Sequence, residues 1–567
     1  MPVPVYERNP CYPAIGGTVV AGWDDPIALL PPHPLVLAVD GPGILEWDTV
    51  VDGLCRALDA RGSATTRLDV RAWFAPWPEI LRATSSAALA DDPDFEHLAS
   101  GDLKQLFRQL PTTHSPPTGV LVAYGPGAAL LSSDCLWYVD LPKRYAEAEV
   151  AAGRGRNLGQ RSGDGVSTTK RLFYVDWPLL DRHRDGLAAR IDRWVDAQNP
   201  DRPISIDGPT LRATMHVLAS QPFRTRPTFN TTPWGGRWAQ RRLGFNPDAV
   251  NTALGYELIA PESGVLIGTA EAAVELPFQL IVATHPRAIL GAAAHEVFGT
   301  SFPIRFDYLD TVDGGNLSVH CHPRPAYMKE IFGWPYPQHE TYYVMVGGKD
   351  GRVFLGLRDD VDVDEFHRRA DKADHGGEPF HIERFVQAFP AEPHSLFCVP
   401  AGTPHGSSAG NVVLEVSATP YLYSLRFYDW LRRDAGGRQR PVHVDHAFEN
   451  LDSQRTGATV RSELAQSPRV LREGNGWREE LLGSLPEMFF EVRRLVLGQL
   501  RAIEDDTAGR FHVINVVDGA GVEIEPINGA VHSLSYAETL VIPAAVGPYR
   551  VRNVGEGPVR VVKSLVR

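Results

Sequence analysis

The chain has 567 residues, a hydrophobic content of 43% and a formal net charge of −13. Its length suits about three or four domains, and its composition is that of a soluble globular protein. Because a negative field repels polyanions before contact, we expect neither nucleic acid nor a membrane surface as a partner. Locally basic clusters still leave room for a small anionic ligand.

The cysteine content predicts the redox compartment. Five cysteines are an odd number, and none of them forms a Cys-x-x-Cys pair. This usage predicts reduced thiols in a cytoplasmic protein rather than a disulfide framework. Residues 1–7 lack a basic region followed by an apolar core, so we expect no secretory signal. The cysteines are Cys11, Cys55, Cys135, Cys321 and Cys398.

The first 220 residues alternate between strand and helix patterns. Residues 35–41 form a short apolar run that ends in Gly-Pro-Gly, as expected for a buried parallel strand, and a helical pattern follows over 47–58. Residues 67–70 and 119–123 resemble further strands of the same sheet. This alternation predicts an open parallel α/β sheet in a domain spanning 1–220.

The same segment weakly resembles the P-loop nucleoside and uridine kinases. The resemblance lies in its strand–turn–helix start and in residues 125–130, which lead into 137–140. A phosphate cradle needs Gly-x-x-x-x-Gly-Lys-Ser/Thr, but counting from Gly41 places Glu46, Trp47 and Asp48 at the last three positions. We therefore expect a degenerate kinase-like domain without ATP activity. An unrelated α/β domain is the alternative.

Three features follow before the next domain. Residues 153–165 are glycine-rich and basic, which predicts a mobile loop that is either simply solvated or a lid over an anion. Helical spacing recurs over 187–197 and 208–220. The proline-bracketed stretch 222–227 predicts a junction in which Arg224 and Arg226 are solvated.

Four ligand-type side chains stand out between residues 315 and 410. His320 and His322 lie two apart on a predicted strand, so both imidazoles point to the same side of the sheet. Glu340 begins the next predicted strand, and His405 follows a Pro-Ala-Gly-Thr-Pro turn. Together they offer a divalent ion three nitrogens and a carboxylate on a small β-barrel. The alternative is that these histidines only satisfy local hydrogen bonds.

The spacing of these residues resembles the two motifs of the cupin family, apart from the seventeen residues between His322 and Glu340. Residues 225–567 also resemble the class I mannose-6-phosphate isomerases through several motifs in the same order. The resemblance implies a metal-binding cupin domain over 221–470. The matching runs are Pro233-Trp234-Gly235-Gly236, Phe302 to Asp310 against Leu-Pro-x-x-x-Lys-x-Leu-Asp, Leu317 to Pro323 against Leu-Ser-Val-Gln-x-His-Pro, Pro400 to His405 with Leu414-Glu415-Val416, and Leu425 to Trp430.

Two departures from that family alter the expected site. His320 replaces the metal-binding glutamine of the family, and Gln338 replaces a lysine suited to meet substrate phosphate. The resemblance implies a divalent metal, with zinc the expected ion, although iron, manganese and nickel suit the same ligands. Since alternate residues of a strand face opposite ways, we expect Cys321 and His339 to point away from the metal.

The C-terminal stretch turns strand-like again. Residues 511–519 and 538–544 resemble paired barrel strands, and no His-x-His accompanies them. We predict a second, metal-free cupin-like barrel over 471–567. The predicted fold is therefore multidomain, with an N-terminal α/β open parallel sheet followed by β-rich cupin (jelly-roll) barrels.

The resemblance implies an aldose–ketose isomerase that interconverts mannose 6-phosphate and fructose 6-phosphate through an enediol. The metal would polarise the carbonyl, and Arg426 would be the catalytic cation that stabilises developing charge. A structural ion pair of Arg426 with Asp429 or Glu415 is the alternative role. Two other functions stay open: a non-catalytic metal-binding sugar sensor, and an isomerase of a different sugar or sugar phosphate.

Overall fold

The structure is a computed structural model that describes residues 5–32, 34–114, 116, 118–418, 423–433 and 437–567. The first four residues of the segment predicted to lack a signal lie outside this part. Among the residues it does cover, no helix has both the length and the apolar character needed to cross a membrane. Each of the five cysteines is a free thiol, as predicted.

The N-terminal region is built around one sheet whose central strands run parallel. From one edge to the other, the strand order is β2-β8-β7-β6-β3-β5-β4; β3 to β7 run parallel, β8 is antiparallel to β7, and β2 is antiparallel to β8. β3 is buried along its whole length, as its apolar sequence predicts. The elements are β1 (Cys11–Tyr12), β2 (Val20–Ala21), α1 (Asp24–Ala28), β3 (Leu35–Asp40), α2 (Trp47–Ala60), β4 (Thr65–Asp69), α3 (Trp77–Thr84), β5 (Val120–Tyr124), β6 (Cys135–Asp140), α4 (Lys143–Ala151), α5 (Thr169–Arg171), α6 (Trp177–Leu187), β7 (Arg193–Asp196), β8 (Ile204–Asp207) and α7 (Gly208–Leu218).

Of the two helices predicted before the junction, one is confirmed and the prediction of the other is wrong. The prediction over 208–220 corresponds to α7, but 187–197 contains the end of α6 and then strand β7. Trp194 and Val195 are both buried, on opposite faces of the sheet. A short run that is apolar on both faces does not reveal whether it is a helix or a central strand.

The predicted loop over 153–165 has no regular secondary structure, and a residue at its centre is hydrogen-bonded to the rest of the region. Asn157 is buried, and its Nδ2 donates to Asp176 Oδ2 at 2.8 Å. Its mobility stays a prediction, and so does its role as a lid.

The predicted solvation of the junction arginines is wrong for Arg224. This side chain is buried and its Nη1 lies 2.6 Å from Glu538 Oε1. Arg226 is partly exposed and lies 2.8 Å from Glu275 Oε2. Both partners are distant in sequence, so local composition carried no sign of these ion pairs.

The middle region consists mainly of two sheets that face each other. Their strand orders are β18-β15-β20-β13-β10-β9 and β17-β16-β19-β14-β21, while β11 and β12 form a small sheet with β1. The elements are β9 (Thr228–Asn230), α8 (Trp238–Arg242), β10 (Leu254–Leu258), β11 (Gly264–Gly268), β12 (Ala273–Pro277), α9 (Phe278–Thr284), α10 (Pro286–Leu290), α11 (Ala292–Phe298), β13 (Ile304–Asp310), β14 (Val319–Cys321), α12 (Pro325–Glu330), β15 (Glu340–Val346), β16 (Arg352–Leu357), α13 (Val363–Gly376), β17 (Val386–Pro390), β18 (Leu396–Val399), β19 (His405–Ser407), β20 (Val412–Ala418), β21 (Leu425–Tyr428), α14 (Val444–Asn450) and α15 (Gly457–Thr459).

The C-terminal region repeats the two-sheet arrangement. Its sheets have the orders β22-β23-β24-β31-β26-β29 and β25-β30-β27-β28, and the predicted strands over 511–519 and 538–544 correspond to β26 and β29. The elements are β22 (Arg469–Gly474), β23 (Trp477–Gly483), β24 (Phe490–Leu497), β25 (Ala502–Asp506), β26 (His512–Asp518), β27 (Gly521–Pro526), β28 (His532–Ser535), β29 (Thr539–Ile542), β30 (Pro548–Asn553) and β31 (Val559–Val566).

A continuous apolar core joins the three regions. It runs from Trp194 in the N-terminal sheet through Phe278 and Phe306 to Phe511 and Val541 in the C-terminal one. Since these side chains are buried against one another, the regions pack together rather than stand apart on linkers. On β13, the face that does not join this core points into the interior of the middle region, where the polar groups lie.

Candidate metal centre

The four predicted ligands come together between the two facing sheets of the middle region. His320 on β14 lies directly opposite His405 on β19, and His322 follows β14 at once. Glu340 begins β15 in the other sheet. One ligand atom from each of the four lies within 4.8 Å of all the others. The predicted convergence is confirmed, and we call these four residues the metal cluster.

The distances inside the metal cluster suit ligands of one ion. Glu340 Oε1 lies 2.8 Å from His322 Nε2, and Glu340 Oε2 lies 3.0 Å from His405 Nε2. Two ligand atoms about 2.1 Å from a metal and at a right angle are about 3 Å apart. The cluster therefore has the size of a coordination sphere.

Backbone carbonyls orient all three imidazole rings. The Nδ1 atoms lie 3.1 Å from Ser318 O, 3.2 Å from Tyr423 O and 2.9 Å from Thr403 O for His320, His322 and His405 respectively. A carbonyl accepts only, so each Nδ1 carries a proton and each Nε2 of a neutral ring presents a lone pair. We infer these tautomers from the hydrogen-bond partners.

The result is a buried group in which three imidazole lone pairs and a carboxylate converge. Burial, and then the neighbouring imidazoles, lower the pKa of His320 well below its usual value, and burial also lowers the pKa of His322. Although burial opposes it, contact with His322 and His405 holds the pKa of Glu340 well below its usual range. Neutral imidazoles and an ionised carboxylate converging on one point are completed by a cation. The cluster is therefore able to bind a metal ion.

The two residues predicted to face away do so. Cys321 Sγ contacts Ala447 O at 3.7 Å in the apolar cluster on the outer side of β14. His339 Nδ1 accepts a hydrogen bond from Ala401 N–H at 3.1 Å, and burial lowers its pKa to about 4. Neither side chain belongs to the metal cluster.

A second polar layer supports Glu340. Two of its residues, Arg305 and Asp307, were missed in the sequence. Gln338 Nε2 donates to Glu340 Oε1 at 2.6 Å. Arg305 Nη2 lies 2.6 Å from Glu415 Oε1 and 3.9 Å from Glu340 Oε1, and its Nε lies 3.2 Å from Asp307 Oδ1. The available signal was two charged residues spaced by two in an otherwise apolar strand, β13.

Asp307 also occupies the lysine position of the Leu-Pro-x-x-x-Lys-x-Leu-Asp strand. With Gln338, the chain thus departs from the isomerase motifs at two lysine positions. Both Asp307 oxygens and the Tyr342 hydroxyl are buried without a hydrogen-bond partner in the described part of the chain. The interior beside the cluster is therefore acidic and rich in acceptors.

Arg426 lies beside the metal cluster on the edge strand β21. It is directly opposite His320, and residues opposed in this way project to the same face of a sheet. Its Nη1 donates to Pro441 O at 2.9 Å. Asp429 pairs with Arg432 and Arg440, and Glu415 pairs with Arg305, while no described ion pair joins Arg426 to either carboxylate. The alternative structural pair is thus not formed, and the catalytic role stays a prediction.

Fold and cluster together define a β-rich protein that presents a three-histidine, one-glutamate site between facing sheets. A family described as "Domain of unknown function (DUF8485)" matches residues 22–220. The remainder of the chain is similar at low identity to proteins named mannose-6-phosphate isomerase. The Streptococcus mutans protein is 26% identical over 225 residues, which are 38% of this chain and 64% of that protein.

Two Bacillus subtilis proteins extend this similarity. The probable mannose-6-phosphate isomerase GmuF is 22% identical over 344 residues, covering 59% of this chain and 98% of its own. The crystal structure of the B. subtilis mannose 6-phosphate isomerase superposes with a TM-score of 0.50 at 18% identity, over 61% of this chain and 99% of that one. At this identity the superposition shows a shared fold.

Proposed function

We propose that the chain is a metal-dependent aldose–ketose isomerase that interconverts mannose 6-phosphate and fructose 6-phosphate through an enediol. The observation that carries the proposal is the metal cluster, held in a fold shared with an isomerase of that name. The proposal includes a cupin barrel for the middle region, a second cupin-like barrel at the C-terminus, zinc as the ion and a cytoplasmic location.

Each residue has a distinct part in this proposal. A bound divalent ion would act as a Lewis acid on the carbonyl and the developing oxyanion. His320, His322, Glu340 and His405 would hold it, while Gln338 and Arg305 fix the Glu340 carboxylate. Arg426, on the same face as His320, would orient the sugar and stabilise charge that develops in the transition state. His339 points away from the cluster, so it is not assigned to proton transfer.

A second candidate function is isomerisation of an unphosphorylated sugar. It is favoured by Gln338 and Asp307, which remove two cations from positions where the isomerase motifs have lysine. Arg305 is one cation among the three carboxyl groups of Asp307, Glu415 and Glu340, so a phosphate dianion there would still be repelled. Sugar hydroxyls could instead donate to the Asp307 oxygens, which have no hydrogen-bond partner in the described part of the chain. The two candidates therefore differ in whether the substrate carries a phosphate group.

For the N-terminal region, we propose a kinase-like domain that has lost ATP binding. At the carboxyl end of β3, the Asp40 carboxylate accepts hydrogen bonds from the backbone N–H groups of Gly41, Gly127 and Ala129 at 2.7, 3.2 and 2.7 Å. Backbone amides at such a strand end are the groups that cradle phosphate in a P-loop. Here a side chain of the protein itself occupies them.

The test is a coupled assay for fructose 6-phosphate with metal-loaded protein and mannose 6-phosphate, run beside an assay with free mannose. Turnover of the phosphorylated sugar supports the proposed function, and turnover of mannose alone supports the second candidate. Gln338→Lys sharpens the comparison, because it restores one cation and is expected to raise kcat/KM for the phosphorylated sugar several-fold. No turnover with any aldose would sink the enzyme assignment and leave a metal-binding sensor.

A further inference from the structure

A loop of the N-terminal region packs onto the middle region close to the metal cluster. We call residues 91–98 the docking loop. Leu98 N–H donates to Phe332 O at 2.9 Å, and His97 Nδ1 lies 3.0 Å from Ile331 O. The Phe95 ring is buried against Phe332 and His443, with centroid distances of 5.4 and 4.5 Å. Backbone and aromatic contacts together fix the loop in one register.

One set of contacts leads from the N-terminal region to a metal ligand. Tyr423, whose carbonyl orients His322, is fully buried. Its ring stacks on Phe332 at 4.1 Å and on Tyr174 of the N-terminal region at 4.9 Å, and its hydroxyl donates to Glu96 O at 3.2 Å. The carbonyl that sets the His322 tautomer is therefore held by residues from two regions of the fold.

A second set leads to Arg426. Asp94 Oδ2 lies 3.1 Å from His443 Nε2, and His443 Nδ1 accepts the Arg426 backbone N–H at 3.2 Å. The backbone N–H of His443 in turn donates to Arg426 O at 2.9 Å. Because Nδ1 must accept, Nε2 must carry the proton, and a carboxylate is the partner that selects this tautomer.

The cluster residues and their neighbours differ in exposure. His322, Glu340 and His405 are buried, whereas His320 and Arg426 are partly exposed, and the Asp94 side chain is 31% exposed. The Asp94 charge is also one of those that act on Arg426, since each affects the pKa of the other. The docking loop thus reaches the residues beside the cluster through His443 and Arg426.

We propose that the N-terminal region completes the metal-dependent site, and that Asp94 is a positioning residue that acts through His443 on Arg426. The inference rests on the proposed function and assigns a task to a region that has lost its phosphate cradle. The domain would serve as a wall of the isomerase site rather than as a second catalytic unit. Its residues do not ligate the ion.

The test uses the full chain with Asp94→Ala and Asp94→Asn, and with Asp91→Ala as the matched control. Asp91 is exposed in the same loop. Ala removes the acceptor for His443, whereas Asn retains an oxygen that can accept from Nε2. We expect Asp94→Ala to lower kcat about tenfold at unchanged KM, because Arg426 acts on charge that develops in the transition state. Asp94→Asn should recover most of that loss, with metal content and thermal midpoint unchanged in all three variants.

A binding measurement separates this inference from the proposed function. The probe is 5-phospho-arabinonohydroxamate, an anionic mimic of the enediolate, titrated into Co²⁺-loaded protein and followed by the visible spectrum. If wild-type protein binds it without turning over sugar, the isomerase proposal fails, but a rise of about tenfold in Kd for Asp94→Ala still supports the positioning role. The inference is overturned if Asp94→Ala behaves like Asp91→Ala, if it loses metal or unfolds, or if wild-type protein does not bind the probe.

The Tyr423 contacts supply an independent readout. Tyr174→Ala removes the ring that stacks on Tyr423, and Tyr174→Phe keeps it. Because residues that orient metal ligands typically change metal affinity by about 10- to 100-fold when altered, we expect Tyr174→Ala to weaken Co²⁺ binding about tenfold. Tyr174→Phe should stay within about threefold. Equal affinity in both variants would contradict a contribution of this region to the cluster.

Discussion

The middle and C-terminal regions share a two-sheet architecture but neutralise their buried polar groups differently. In the C-terminal region, Lys563 is 1% exposed and its Nζ lies 2.7 Å from Glu479 Oε1 and 2.6 Å from Asp505 Oδ2. In the middle region, Arg305 pairs with Glu415, whereas three imidazole nitrogens and Glu340 converge on one point, and Glu340 receives only the neutral Gln338 amide as a donor.

The difference shows how one architecture accommodates a buried carboxylate in two ways. A carboxylate without a cation in a low-dielectric interior is costly, so the charge must be balanced. In one region the chain provides the cations itself, on a buried lysine and partly exposed arginines. In the other, Gln338 and the more distant Arg305 do not supply a cation where the imidazoles and Glu340 converge, which leaves that place to an ion from solution.

The largest expected effect tests whether the middle region binds a metal ion. His405→Ala removes one of four ligands, and we expect the bound metal to fall from about one per chain to a small fraction of that, since an under-coordinated ion dissociates more readily. Isomerase activity should fall with it. The measurement is elemental analysis of dialysed protein, with His512→Gln in the C-terminal region as control. Full metal content in His405→Ala would contradict the cluster.

A second variant tests whether the C-terminal region balances its buried carboxylates with its own lysine. Lys563→Met removes the one fully buried cation beside Glu479 and Asp505 and leaves them only the partly exposed Arg472 and Arg493. Removal of one partner of a buried pair typically costs about 3–5 kcal/mol, so we expect a markedly lower thermal unfolding midpoint at neutral pH. Adding Glu479→Gln and Asp505→Asn should restore much of the loss, because the carboxylates that Lys563 balances are then uncharged. A single variant as stable as wild type would refute internal charge balance.

Arg426 separates catalysis from metal binding. Arg426→Ala should lower kcat about 100-fold, as loss of one preorganised charge contact commonly does, while the metal content stays near one per chain. Arg433, exposed in the same segment, provides the control Arg433→Ala. Steady-state kinetics and elemental analysis on the same preparations decide the result. Loss of metal in Arg426→Ala would instead place this arginine among the residues that maintain the cluster.

The smallest effect concerns Glu262, a carboxylate that forms no ion pair within the described part of the chain. Burial, followed by the charge of Glu147, raises the pKa of Glu262 to about 7. A raised carboxyl pKa means that the folded state holds its proton longer than the unfolded state, so its contribution to stability is present below about pH 4.5 and is lost as pH rises to about 7. Glu262→Gln should therefore raise the thermal midpoint by up to about 3 °C at pH 8 and change it little at pH 4.5. The exposed Glu271→Gln is the control, and an equal shift at both pH values would contradict the assignment.

The site was more predictable than its surroundings. Strand periodicity alone places His320 and His322 on one face, and the turn before His405 aligns it with them, so the ligands could be read from local pattern. Arg305 and Asp307 share that periodicity but carry no ligand signature, and they were missed. Asp94 and His443 lie 349 residues apart, and nothing in either segment indicates their contact.

By itself, the amino-acid sequence determined which side chains can bind a metal, that strands such as β3 are buried, and that no Gly-x-x-x-x-Gly-Lys-Ser/Thr run begins at Gly41. These features depend on residue type and on spacing within a few positions. Only the tertiary structure decided that Arg224 is buried, that 193–196 is a strand, and that Asp94 of the N-terminal region contacts His443 of the middle region. Those outcomes depend on contacts between distant segments, whose energy is realised only when the sheets pack together.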